Sequence, residues 1–265
     1  MIVEGIADWD DAYANIVHIP GGAETPDRWL RDAAAFRATR APQAVEGGEL
    51  HLPDEVPRGL MVFIHGGYWM KFGPSWFSHV AQGALARGWA VLMPAYPLAP
   101  AGTLAGMRDA VTAQIADAAQ RIAGPIALTG HSAGGHLAAR LICDDSPLPA
   151  PVLGRIRRCL PISGLFDLRV LQFTAMRGDL GLTDEVARRE SPLFHLPARD
   201  LDLHLWVGAD ERPVFLQQSC LIHAAWAGIP KRTELTVEAG RHHLDVIDGL
   251  TDAAHPLTRA LLDGL

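Results

Sequence analysis

The chain has 265 residues, a length that suits one α/β domain and does not require two. Its 30 acidic residues against 23 basic ones leave a formal charge of −7, which argues against nucleic acid or an anionic membrane as the main partner. Apolar residues make up 49%, enough for a sizeable core, yet no apolar run reaches membrane-spanning length.

The first segment, 1–48, opens with Glu4, Asp8, Asp10 and Asp11 and lacks the basic start and apolar stretch of a secretory signal. The three cysteines, Cys143, Cys159 and Cys220, show no C-x-x-C spacing, so free thiols and a cytoplasmic location are expected, with no structural metal. Segment 1–48 is aromatic and rich in Pro and Gly, with one helix predicted over 26–38. It and the loosely patterned stretch 165–200 are candidates for a cap or for excursions that cover the site; the rest reads as a single domain over 1–265.

From residue 60 onward, short apolar runs alternate with segments of helical period. Strands are predicted at 60–64, 89–94, 125–129, 159–163, 203–207 and 233–237, and helices at 75–87, 104–122, 133–143, 213–227 and 257–262. In the helix from Leu104, apolar residues recur at Met107, Val111, Ile115, Ala118 and Ile122, one face at period 3.6. Strands that are apolar throughout and separated by helices predict an α/β fold: a mostly parallel central sheet with helices on both faces. Ligands of such sheets bind beyond the carboxyl ends of the strands, so the chemistry belongs in the turns that follow them. The basic cluster Arg155, Arg157, Arg158 reads as the solvated start of a strand.

The first such turn follows 60–64 and reads His65-Gly66-Gly67-Tyr68-Trp69. Glycines there let the backbone approach a reacting carbonyl, which makes the amides of Gly67 and Tyr68 the candidate oxyanion donors, with Gly66 next. His65 is expected to brace the loop. Tyr68 and Trp69 are candidates for the wall of a substrate pocket, whereas Trp76 and Phe77 read as core.

The strongest motif is Gly130-His131-Ser132-Ala133-Gly134, G-x-S-x-G with a strand before it and a helix after it. That context is the one a nucleophile elbow needs, with Ser132 at the tip of a strained turn and the Ala133 amide as a further oxyanion donor. A serine hydroxyl needs a base, and in this arrangement the chain order is Ser, acid, His. The strand at 203–207 ends in Gly208-Ala209-Asp210-Glu211, and the strand at 233–237 leads to Gly240-Arg241-His242-His243. Asp210 is taken as the acid because it comes first after the strand, with Glu211 beside it. His242 and His243 both remain open as the base. A metal reading of the tandem histidines with Asp245 lacks any H-x-x-x-H spacing. The glycines around Ser132 do not match G-x-G-x-x-G, which disfavours a dinucleotide binder. A binding protein on a scaffold without catalysis is the competing reading, and it should have lost part of this residue set.

With these residues in view, the chain resembles the α/β-hydrolase superfamily, in the esterase and lipase branch that carries H-G-G ahead of the nucleophile. Within that branch His65-Gly-Gly-Tyr-Trp69 looks like the signature of kynurenine formamidases (arylformamidases) and their bacterial esterase relatives. The likeness runs from about Trp9 to the end and includes Ile162-Ser-Gly-Leu-Phe-Asp-Leu168, Ser191-Pro-Leu193 and Gly208-Ala-Asp210-Glu211. Relatives show G-x-N-H-F around the catalytic histidine; Gly240-Arg-His-His-Leu244 aligns with it when His243 takes the histidine place, which selects His243 over His242. The resemblance implies an α/β-hydrolase fold and a triad of Ser132, Asp210 and His243. It also implies a small ester or aryl formamide such as N-formylkynurenine as substrate, and no cofactor. No nucleic acid or membrane partner is expected, and a homo-oligomer is left open.

Overall fold

The computed structural model describes residues 5–265. Eight strands form one sheet: β1 (Gln43–Val45), β2 (Gly48–His51), β3 (Leu60–Ile64), β4 (Ala90–Met93), β5 (Ile126–His131), β6 (Ile156–Ile162), β7 (Asp202–Gly208) and β8 (Arg232–Glu238). Their order across the sheet is β1-β2-β4-β3-β5-β6-β7-β8. β1 and β2 pair antiparallel, as do β2 and β4, and the remaining neighbours are parallel. The expected mostly parallel sheet is therefore present, with an antiparallel hairpin added at one edge.

β3 and β4 are apolar throughout because both faces are covered. Along β3, Leu60, Val62 and Ile64 join one core with Val111, Ile115 and Leu137, whereas Met61 and Phe63 join the other with Phe77, Trp89 and Leu257. Alternate side chains of a strand point to opposite faces, so a strand between two helical layers has no polar face to show. The helices over Leu104–Arg121 and Pro213–Trp226 follow the predicted periods closely.

Two local expectations fail, and two strands went unpredicted, for identifiable reasons. The helix predicted over 75–87 is broken into two 3-10 turns, Pro74–Trp76 and Ser78–Ala81, before the α-helix Gln82–Ala86. Phe77, at φ −122° and ψ 7°, interrupts the helical path while its ring is fully buried. β1 and β2 escaped notice because they are short and partly polar; the two-residue turn Glu46-Gly47 that joins them, with Gly47 at φ 72°, is their one local signal. The arginine cluster is not simply solvated. Arg155 donates to the carbonyls of Ala119, Ile122 and Gly124, closing the end of the preceding helix, and Arg158 is buried on Ala260, Asp263 and Asp202.

No described helix is long and apolar enough to cross a membrane. Residues 1–4 of the predicted covering segment lie outside the described residues. The part that follows includes the helix Thr25–Thr39, and Trp29 on that helix packs against Phe72 and Phe77.

Candidate active site

Ser132 stands between β5 and the helix Ala133–Arg140 at φ 55° and ψ −115°, a backbone region that L-residues avoid. The turn is possible only because its neighbours have no side chains. A Cβ on Gly130 would strike the backbone of Gly134, and one on Gly134 would strike the carbonyl of Ile64. The Ser132 amide donates to the Ile162 carbonyl at 2.8 Å, which ties the bend to the end of β6.

His243 lies in the loop after β8 and is 3% exposed. Its Nδ1 lies 2.6 Å from Glu211 Oε2. The acid beside the imidazole is thus Glu211, and the expectation of Asp210 is corrected. The reason is the turn after β7. Glu211 Oε1 accepts the Gly208 amide at 2.8 Å, so the chain folds its fourth residue back onto the strand end. Asp210, inside that turn, is exposed, and its amide is spent on the Arg241 carbonyl at 2.9 Å. Glu211 is further held by Ser163, whose Oγ donates to Oε1 at 2.5 Å. Ser163 is fully buried and itself strained, at φ 50°. One oxygen of Glu211 therefore takes two donors while the other faces the imidazole.

The tandem histidines diverge. His242 Nδ1 accepts the amides of Leu244 and Asp245, both at 3.2 Å, and lies 3.1 Å from Asp245 Oδ1. Only His243 of the pair reaches the cavity that contains Ser132. Phe215 packs on the His243 ring at 4.2 Å between centroids. Next to Ser132, His131 Nε2 donates to the His243 carbonyl at 2.9 Å. Burial, then the neighbouring His243, hold His131 well below the usual histidine range, so it is a neutral brace for the loop and not a second cation.

The H-G-G loop lies against Ser132: a Cβ on Gly66 would come within 3.2 Å of Ser132 Cβ. Gly67 carries φ 110°, and Tyr68 and Trp69 follow at 51° and 58°, a left-handed run closed by the Met70 and Lys71 amides on the Gly67 carbonyl, each at 3.0 Å. Gly67 and Tyr68 line the Ser132 cavity, and Ala133 begins the helix behind the serine, where first-turn amides have no partner within the helix. His65 is a brace, as expected: Nδ1 donates to the Gly66 carbonyl at 2.8 Å, and the ring stacks on Tyr96 at 4.3 Å. Burial lowers its pKa to about 4.

The cavity holds about 250 Å³ and is lined chiefly by Tyr13, Asn15, Ile16, Trp29, Tyr68, Phe72 and Phe77 around Ser132 and His243. Tyr68 is on the wall, as expected. Its hydroxyl donates to the Tyr13 carbonyl at 2.5 Å and accepts from Asn15 Nδ2 at 3.3 Å. Trp69 is not on the wall, which corrects the second substrate-binding expectation. It is fully buried and packs edge-on against His136 at 5.1 Å, on the helix that follows Ser132. Phe77 serves both core and cavity. Sequence reasoning missed Tyr13, Asn15 and Trp29, which arrive from segment 1–48 with no motif to mark them, and no residue of 165–200 lines the cavity.

Among the described residues, one group of three could hold a metal ion by position: Asp144, Asp145 and His195. Arg140 grips both oxygens of Asp145 at 2.8 Å, and this pairing takes the Asp145 pKa down to about 2. The Asp145 charge is therefore already paired, and the cluster does not border the Ser132 cavity.

The family model described as "alpha/beta hydrolase family" matches residues 61–263. The chain belongs to the alpha/beta hydrolase family. This hydrolase is 30% identical over 213 residues to a kynurenine formamidase of Salmo salar, spanning 77% of this chain and 71% of that one. It is 28% identical over 226 residues to a kynurenine formamidase of Danio rerio, spanning 81% and 76%. A crystal structure from Silicibacter sp., provisionally described as a thioesterase, superposes on the hydrolase with a TM-score of 0.90 at 39% identity and covers 96% of this chain and 98% of that one. Esterase 2 of Thermogutta terrifontis with bound propionate shares the fold, with a TM-score of 0.62 at 19% identity over 77% of this chain and 84% of that one.

Proposed function

We propose that the hydrolase cleaves small carboxylic esters or aryl formamides through an acyl-enzyme on Ser132. The observation that carries this is a strained Ser132 sharing one cavity with His243, whose Nδ1 faces Glu211 from behind. His243 takes the Ser132 proton through Nε2 as Oγ attacks the carbonyl, and Glu211 stabilises the imidazolium through Nδ1. The amides of Gly67, Tyr68 and Ala133 receive the negative charge that develops on the carbonyl oxygen. His243 then protonates the leaving alcohol or amine, and a water activated by the same imidazole releases the acid.

The aromatic walls and the likeness to kynurenine formamidases support N-formylkynurenine as a substrate to assay beside simple esters. Tyr13, Asn15, Ile16 and Trp29 support reading segment 1–48 as a partial roof over the site. The partner proposed is a small molecule, with no cofactor in the steps above.

A fluorophosphonate probe tests the reading. Labelling of the wild type that disappears in Ser132→Ala, with kcat lower by on the order of 10⁶-fold, is the expected result. A wild-type chain that never labels and hydrolyses neither 4-nitrophenyl acetate nor N-formylkynurenine would leave only a binding scaffold. If kcat/KM for the formamide falls far below that for the ester, the formamidase part of the proposal goes and the esterase part stands.

A further inference from the structure

The walls of the Ser132 cavity are apolar and aromatic, and no Asp or Glu is among the described residues that line them. One lining residue there carries a fixed charge, Lys71. The position is unusual for this chain, which has only two lysines, Lys71 and Lys231, and otherwise uses arginine. Lys71 is exposed and lines the cavity, which places the residue at the rim where the cavity meets solvent. Its backbone is not free to wander, since the Lys71 amide closes the left-handed turn on the Gly67 carbonyl at 3.0 Å. Lys71 is thereby mounted on the same turn that presents the Gly67 and Tyr68 amides to Ser132.

An isolated cation beside a low-dielectric wall attracts an anion more strongly than one in open solvent, and it repels a cation. A neutral substrate gains nothing from it. We infer that Lys71 is a specificity-determining residue, and that the substrate is an ester or amide whose apolar body carries a carboxylate or similar anion at the end remote from the scissile carbonyl. This deepens the reading above and rests on it for the word substrate, although not for the anion preference itself.

The test uses matched aryl acetates bearing a para carboxylate, a nitro group or a trimethylammonium group, with wild type, Lys71→Met and Lys71→Arg. The ratio of wild-type to variant kcat/KM is taken for each substrate, which cancels leaving-group reactivity. Lys71→Met should cost the carboxylate substrate about 5-fold to 10-fold more than the neutral one, mainly through KM. It should cost the trimethylammonium substrate less than the neutral one. Lys71→Arg should restore most of the carboxylate rate, and raised salt should shrink the wild-type preference.

Equal ratios for all three charges overturn the inference. Binding of 4-acetamidobenzoate and its neutral methyl ester to Ser132→Ala, with and without Lys71→Met, reads the preference with no turnover. Tighter binding of the anion that Lys71→Met abolishes supports the inference even if no hydrolysis is found. Indifferent binding overturns it even if Ser132 proves to be the nucleophile.

Discussion

Glu211 presents Oε2 to His243 Nδ1 at 2.6 Å while its other oxygen is held by both Ser163 and the Gly208 amide. The neighbouring Asp210 faces solvent. Two adjacent acids of the same charge therefore have opposite relations to the site, and replacing each separates them. Glu211→Gln should lower kcat on 4-nitrophenyl acetate by about 10⁴-fold, the typical cost of losing the carboxylate that orients a catalytic histidine. Asp210→Asn should stay within a few-fold of wild type. The reverse ranking would remove Glu211 from the mechanism.

Ser163 offers a test of positioning. Ser163→Ala and Ser163→Gly both delete the hydroxyl that steadies Glu211, and both should lower kcat by about 10-fold with little change in KM. They should differ in stability. Glycine accepts a φ of 50° without strain and alanine does not, so Ser163→Gly should melt above Ser163→Ala. Identical melting temperatures would show that the backbone strain has no measurable cost.

Strain at Ser132 predicts a trade between activity and stability. Its φ of 55° and ψ of −115° should cost about 1–3 kcal/mol, part of which glycine recovers. Ser132→Gly should abolish turnover and raise Tm by roughly 2 °C in a domain of this size. Calorimetry of the purified variant settles the sign. By contrast, Gly134→Ala should not fold, because its Cβ would collide with the Ile64 carbonyl.

Buried histidines set the response to acid. Burial lowers both His65 and His79 from 6.5 to about 4. The unfolded chain therefore takes up these protons first as pH falls. Stability from the two neutral rings is full above about pH 6.5 and is lost progressively between pH 6.5 and 4. Tm should drop over that interval, and His79→Leu should flatten part of the drop. A Tm that holds constant from pH 7 to 4.5 contradicts this account.

Much of the site was legible because its chemistry is written in contiguous residues. The bend around Ser132 needs Gly130 and Gly134 within the same short stretch, and the H-G-G turn needs Gly66 and Gly67 after β3. Such local steric demands leave a pattern in one dimension. Choosing His243 over His242 required a likeness to relatives, since alternation alone could not say which ring turns inward.

Residue order established that a serine, an acid and a histidine follow three strand ends of one parallel sheet, since apolar period and turn glycines are local properties of the chain. Folding in three dimensions selected Glu211 over Asp210, buried Trp69, and brought Tyr13, Asn15 and Trp29 over the serine. Those outcomes depend on where a turn directs each side chain and on contacts between residues more than a hundred positions apart, such as His131 with His243. No local spacing encodes a direction or a distant neighbour; only the packed sheet and its loops supply both.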